Sequence, residues 1–268
     1  VTSSSIDLGF CWTLPGATPE EGLPKLREAG FDGVEIWPDY LTRFGLDRWA
    51  AALDASGMRC LQLCPYFNFV HGPEAIEASR QLLREAIEAA RALSCSRLRV
   101  FTGPAWGEGT VSAREATGAQ WRAAIDGLQE FCDAAPDVEF CLECHEGSLM
   151  EDSTSTLRLL EEVGRSNLTV NLQLPLLNED WKTSLERLAE RTTHIHIHNW
   201  TEGLGEGVLT FLEEGAFDWL PVVREMVRRD RSVCLSVEHA DHHGRHDPWE
   251  TARRDGPFLQ KLRQLSAE

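Results

Sequence analysis

The chain has 268 residues, 42% hydrophobic and 26% charged, an ordinary globular balance that supplies a sizeable core and excludes disorder. Its 26 basic and 43 acidic residues give a formal charge of −17. With no basic stretch to interrupt it, that charge argues against binding a nucleic-acid backbone.

Short apolar or β-branched runs alternate with helix-period segments along the chain, the pattern of repeated βα units on a parallel sheet. Val1-Thr2-Ser3-Ser4-Ser5 carries no charged-then-apolar signal, and strands are predicted at 6–10, 33–37, 59–64, 97–102, 138–143, 168–173, 193–198 and 233–238. Gly30 and Gly57 fall just after helices, where the left-handed conformation favours glycine. Pro73 to Leu93 repeats Ile76, Leu83, Ile87 and Ala90 at helical spacing. Ser112 with Glu115 reads as the capping start of a helix to Cys132, and a helix from Asp152 to Val163 starts with Asp or Ser as its N-cap.

Eight such pairs fit an open doubly wound sheet or a closed barrel. The first strand is followed by Gly9-Phe10-Cys11-Trp12 and not by a glycine-rich cofactor fingerprint. There is also no Walker loop and no Gly-x-Ser-x-Gly elbow. The reading is therefore α/β, a single (β/α)₈ TIM barrel occupying 1–268 as one domain. No apolar run reaches membrane-spanning length. Cys60, Cys64, Cys141 and Cys234 lie in or beside β-like runs, so buried thiols and a reducing, cytoplasmic location are expected.

Four late strands end on residues able to hold a metal: Glu143, Gln173, His196 and Glu238. Strand alternation places Cys141 with Glu143, Asn171 with Gln173, His194 with His196 and His198, and Ser236 with Glu238 on the inward face. A packed barrel fills that face with branched apolar side chains, so four polar rows are costly unless an ion or mutual hydrogen bonds satisfy them. Glu35 ends the second strand, open to Arg99 or to a substrate. His239, Asp241, His242, His243 and His246 could hold a second ion, although residues 242–246 lie in a polar loop beyond the last strand.

Ala29-Gly30-Phe31-Asp32-Gly33-Val34-Glu35-Ile36, Leu142-Glu143-Cys144-His145, His194-Ile195-His196 and Ser236-Val237-Glu238-His239 together resemble strand motifs of the xylose isomerase-like TIM barrel superfamily. That superfamily holds sugar isomerases, ketose 3-epimerases, hydroxypyruvate isomerase, inosose dehydratase and endonuclease IV. The resemblance implies one divalent ion on Glu143, Gln173, His196 and Glu238, Mn²⁺ first, with Mg²⁺, Co²⁺ or Zn²⁺ as alternatives. Gln173 departs from the family's Asp, and Leu176 stands where a substrate-touching His is common. The ligand set thus carries two negative charges where relatives carry three, and weaker metal binding with stronger Lewis acidity is expected.

The activity so implied is isomerisation or epimerisation of a sugar, polyol or keto-sugar by proton abstraction through a metal-stabilised enediolate. Glu143 and Glu238 are the paired acid and base. His145 and His198, with Trp12, Tyr66 and Trp106 among the rim aromatics, are the expected substrate contacts. His198 and His239 could instead orient the ligands. A lyase on the same scaffold, dehydrating or cleaving a C-glycoside, begins with the same proton abstraction. A non-catalytic barrel acting as a binding or partner subunit is the reading from another class. Endonuclease-like repair would need histidines after the third and fourth strands, where this chain has Pro65-Tyr66 and Thr102-Gly103. A homo-oligomer or partner subunit remains open, with 200–218 long enough to reach a neighbour.

Overall fold

The computed structural model describes residues 5–14 and 16–266. Most of the N-terminal stretch read for a targeting signal lies outside these. The strands are β1 (Ile6–Cys11), β2 (Gly33–Ile36), β3 (Arg59–Leu63), β4 (Arg97–Val100), β5 (Glu139–Glu143), β6 (Leu168–Gln173), β7 (Thr192–Ile197), β8 (Asn199–Trp200), β9 (Leu209–Thr210) and β10 (Val233–Val237). The helices are α1 (Pro19–Ala29), α2 (Pro38–Phe44), α3 (Leu46–Ser56), α4 (Pro73–Ala92), α5 (Gly118–Ala134), α6 (Ser153–Val163), α7 (Trp181–Leu188), α8 (Leu220–Arg228) and α9 (Pro248–Ser266). Eight strands close a parallel barrel in the order β1-β10-β7-β6-β5-β4-β3-β2, as expected. The short antiparallel pair β8-β9 inside the long loop was not foreseen.

Two compact units make up the chain, Val1–Leu61 with Thr192–Glu268 and Gln62–Arg191. In the first, β1 is flanked by β10 and β2, and β10 by β7, in parallel register. Gly9 pairs with both Ser236 and Gly33, and Ser236 pairs with His196, so these residues share one level. A Cβ on Gly9 would come within 2.8 Å of Ser236 Oγ and 3.0 Å of Cys234 Sγ, which reserves the position for glycine. Alternate residues Leu8, Phe10, Val34, Ile36, Ile195, Ile197 and Leu235 are buried on the opposite face. Both faces of these strands are therefore buried, as parallel sheets require.

In the second unit β5 pairs with β4 and β6, placing Arg99 beside Cys141 and Glu143 beside Asn171. Phe67, Phe69, Phe131 and Phe140 form one aromatic cluster under α5, with edge-on contacts of 5.0 Å from Phe131 to Phe67 and to Phe69.

Local chemistry sets the helix ends. α1 opens with Pro19 after a Thr18/Glu21 capping box and ends at Gly30 (φ +103°), and α3 ends at Gly57 (φ +65°). α6 takes Asp152 as its N-cap, one of the two residue types expected there. α5 starts later than the Ser112 reading: Thr117 and Gln120 form the box that nucleates it, while Ser112 heads a separate turn, its carbonyl accepting from the Glu115 and Ala116 N–H groups. Two capping signatures five residues apart competed, and the one adjoining the apolar stripe of Trp121, Ala124, Ile125 and Leu128 won. All eight cysteines are buried thiols. Among the described residues no helix is long and apolar enough to cross a membrane.

Candidate metal centre

In the first unit the carboxylate of Glu35, fully buried at the end of β2, gathers three groups. His194 Nε2 lies 2.8 Å from Oε1 and His196 Nε2 lies 3.2 Å from Oε2. The Cys11 thiol donates to Oε1 at 3.4 Å and lies 3.8 Å from Ser236 Oγ. Glu35 was left open between Arg99 and a substrate; here it accepts from two histidines that also face inward. Burial alone would raise its carboxyl pKa, but the charge of His196, then His194, outweighs burial and holds it well below the usual carboxylate range. Burial, and then Glu35, push the Cys11 thiol well up, so it stays protonated and donates. Cys11, Glu35 and His196 offer ligand atoms within 4.8 Å of one another, and these hydrogen bonds account for that proximity.

The other edge of His196 points to Glu238, with Nδ1 3.5 Å from Oε1. Glu238 follows β10, and its backbone N–H donates to the Ile197 carbonyl. His198 Nδ1 lies 3.9 Å and His239 Nε2 3.3 Å from the second oxygen of Glu238. His198 is itself wedged against the rings of Trp200 and His239. Of the expected site residues, His196, His198 and Glu238 thus converge in this unit.

An imidazole with a carboxylate at each ring nitrogen holds either two protons, or one proton and a metal ion. The donor set therefore fits a divalent cation on the Nδ1 side: imidazole nitrogen with carboxylate oxygen at the C-terminal end of adjacent strands. The loop histidines behave differently. His242 stacks on Phe211 and His246, and His239 on His243. Among the described residues no three of them offer converging ligand atoms. Burial pushes His242 down to about 4, leaving it neutral.

In the second unit Glu143 and Arg99 form a buried ion pair, Nη1 to Oε2 3.1 Å, each side chain 2% exposed. Arg99 Nη2 also donates to the Cys64 carbonyl. Burial would lower the Arg99 pKa, but the charge of Glu143 raises it on balance, so the guanidinium stays charged. Its plane lies 4.4 Å above the Tyr66 ring, which stacks on Phe101 at 5.9 Å and meets Trp106 edge-on at 5.5 Å. His145 packs against Phe101 at 5.9 Å, its Nδ1 2.7 Å from the Glu146 carbonyl. Two expected substrate contacts, His145 and Tyr66, therefore meet on Phe101, a residue not among those expected, and Trp106 joins them through Tyr66. Tyr66 is 37% and Trp106 65% exposed. Gln173 ends β6 half-buried, two residues beyond the Asn171 that pairs with Glu143.

Trp12 does not behave as a rim residue. Its ring is wholly buried, 4.8 Å from Trp49, in a slot that exists because Gly22 has no side chain. A Cβ at Gly22 would come within 2.4 Å of that ring. Leu176, at the position of the missing family histidine, is buried as well.

Comparison with known structures gives the same fold at low identity. A probable 3-DHS dehydratase, AsbF, from Bacillus anthracis superposes with a TM-score of 0.76 at 18% identity, covering 95% of this chain and 98% of that one. D-Allulose 3-epimerase from Methylomonas sp., in complex with D-allulose, gives 0.77 at 18%, covering 97% and 99%. The IOLI protein with a bound zinc atom gives 0.77 at 17%, covering 97% and 99%. Sequence comparison with curated proteins gives no match. A family profile, however, matches residues 23–262, and the chain belongs to the xylose isomerase-like TIM barrel family.

Proposed function

We propose that the chain is a divalent-metal-dependent isomerase or epimerase of a sugar, polyol or keto-sugar, working as one catalytic domain in a reducing cytoplasm. The observation that carries this reading is the Glu35-His196-Glu238 series, which leaves one edge of a buried imidazole facing a carboxylate. Glu143, Gln173, His196 and Glu238 are the proposed ligands, contributed by strands that are consecutive in the barrel order. Mn²⁺ is the first choice for this oxygen-rich set, with Mg²⁺, Co²⁺ or Zn²⁺ as alternatives. When bound, the ion supplies positive charge against the oxyanion that forms as a carbon-bound proton leaves.

The residues do the rest. One carboxylate of the Glu143 and Glu238 pair takes the proton from the carbon next to the carbonyl, and the other, or a water, returns one. Arg99 holds the Glu143 carboxylate in place through the buried ion pair at 3.1 Å. Tyr66, Trp106 and Phe101 offer apolar faces to a small carbohydrate-like substrate, and His145 and His198 offer ring nitrogens to its hydroxyls.

A lyase is the second reading, favoured by the fold neighbour described as a dehydratase. Abstraction of the same proton ends in elimination when the next carbon bears a leaving group. Product analysis separates the two. Ketoses, hydroxy-aldehydes, inososes and C-glycosides are incubated with enzyme and Mn²⁺ and followed by mass spectrometry. An isomerase or epimerase conserves substrate mass, and a dehydratase product is lighter by one water. Glu143→Gln and Glu238→Gln should each lower kcat by about 10²–10⁴-fold. Unchanged turnover in both would remove the two-carboxylate mechanism and favour a binding or partner subunit.

A further inference from the structure

We propose that Glu35 is the positioning residue of this centre: its carboxylate accepts a hydrogen bond from the Nε2–H of His196 and so reserves Nδ1 for the ion. The proposal rests on the metal-site reading and adds a residue outside the ligand set.

The geometry is specific. An imidazole that turned over would put Cδ2 where Nδ1 stands and Cε1 where Nε2 stands, taking both nitrogens away from Glu238 and Glu35. Glu35 opposes that rotation from the far edge, where its Oε2 lies 3.2 Å from Nε2. The second oxygen is anchored by His194 at 2.8 Å and by the Cys11 thiol at 3.4 Å, so the carboxylate is itself held. His194 and His196 stand almost perpendicular, 84° between planes with centroids 5.5 Å apart, one ring to each oxygen of the same carboxylate. All four side chains are fully buried, where a misplaced proton leaves a polar atom without water to satisfy it.

There is an electronic consequence too. A carboxylate accepting the distal N–H of a metal-binding imidazole raises the basicity of the nitrogen that faces the ion.

The test uses the full-length protein, Zn²⁺ as a diamagnetic probe, and two variants. Glu35→Gln is nearly isosteric and guards against a fold defect in Glu35→Ala. Long-range ¹H–¹⁵N spectra of the metal-free protein at one alkaline pH should show the His196 proton on Nε2. On Zn²⁺ addition the ¹⁵N shift of Nδ1 should move while the Nε2 proton is kept. Zn²⁺ affinity by calorimetry should fall about 10- to 100-fold in Glu35→Ala and by a smaller factor in Glu35→Gln.

Zinc affinity within twofold of wild type in both folded variants would overturn the proposal, as would a proton on Nδ1 of the metal-free protein. If wild type takes up no Zn²⁺ or Mn²⁺, the functional reading fails, and the spectra then decide the positioning claim alone. An Nε2 proton present in wild type and lost from Glu35→Ala upholds it, and an unchanged tautomer in that variant overturns it.

Discussion

Arg99 shows how much a single residue decides here. Its guanidinium is buried against Glu143 and spread over Tyr66 and Phe101, so it carries charge balance and packing together. Replacing it with Met keeps much of the volume but leaves the Glu143 charge buried without this partner. Breaking a buried pair in this way costs about 3–5 kcal/mol. Urea unfolding of Arg99→Met should show a loss in that range, and a loss below about 1 kcal/mol would mean that Glu143 is neutral in the fold.

The inward histidines and glutamates were legible from strand alternation, because His194, His196, Ser236 and Glu238 follow the period of two without a break. Their partners were not. Glu35 meets histidines roughly 160 residues away on a strand that is not its neighbour in the barrel order, and no local pattern records that pairing. Trp12 was misread for a similar reason: an aromatic at a strand end looks like a rim residue until Gly22 of α1 opens a slot for it.

Among the elements, α9 carries a pH dependence of its own. Asp255 is 2% exposed and accepts from the Leu212 N–H at 2.9 Å, while Thr251 donates to the Ala240 carbonyl and Arg254 pairs with Glu214. The helix thereby ties down the segment that follows β9. Burial raises Asp255 from 3.8 to about 7, more than its hydrogen bond lowers it. A carboxyl with a raised folded pKa binds more protons folded than unfolded between those values. Stability from this group is therefore full below about pH 4 and is lost as pH rises through about 7.

Asp255→Asn removes that slope and keeps an oxygen for Leu212. The variant should gain stability over wild type at pH 8, on the order of 3 kcal/mol. The gain should shrink as pH falls and vanish below about pH 4 in thermal or urea unfolding, and the opposite trend would place the Asp255 pKa below the usual range. The helix starts teach a related lesson. The α6 cap was legible only as Asp or Ser, and α5 starts later than Ser112 because Ser112 and Thr117 both carry the signature and only the packed stripe chooses between them.

At the scale of the molecule, eight βα repeats and the lack of any phosphate-binding loop were enough to indicate a barrel, and the closed strand order bears that out. The β8-β9 pair escaped notice because two-residue strands have too few positions to show alternation. Function is less accessible from the fold, since epimerase and dehydratase neighbours superpose equally well on this chain.

The direct measurement is a calorimetric titration of metal-stripped protein with Mn²⁺, run beside His196→Ala. The account predicts one ion per chain in wild type and a loss of about 100-fold or more in affinity in the variant. Absence of uptake by wild type at millimolar Mn²⁺, or equal affinity in the two proteins, would contradict it.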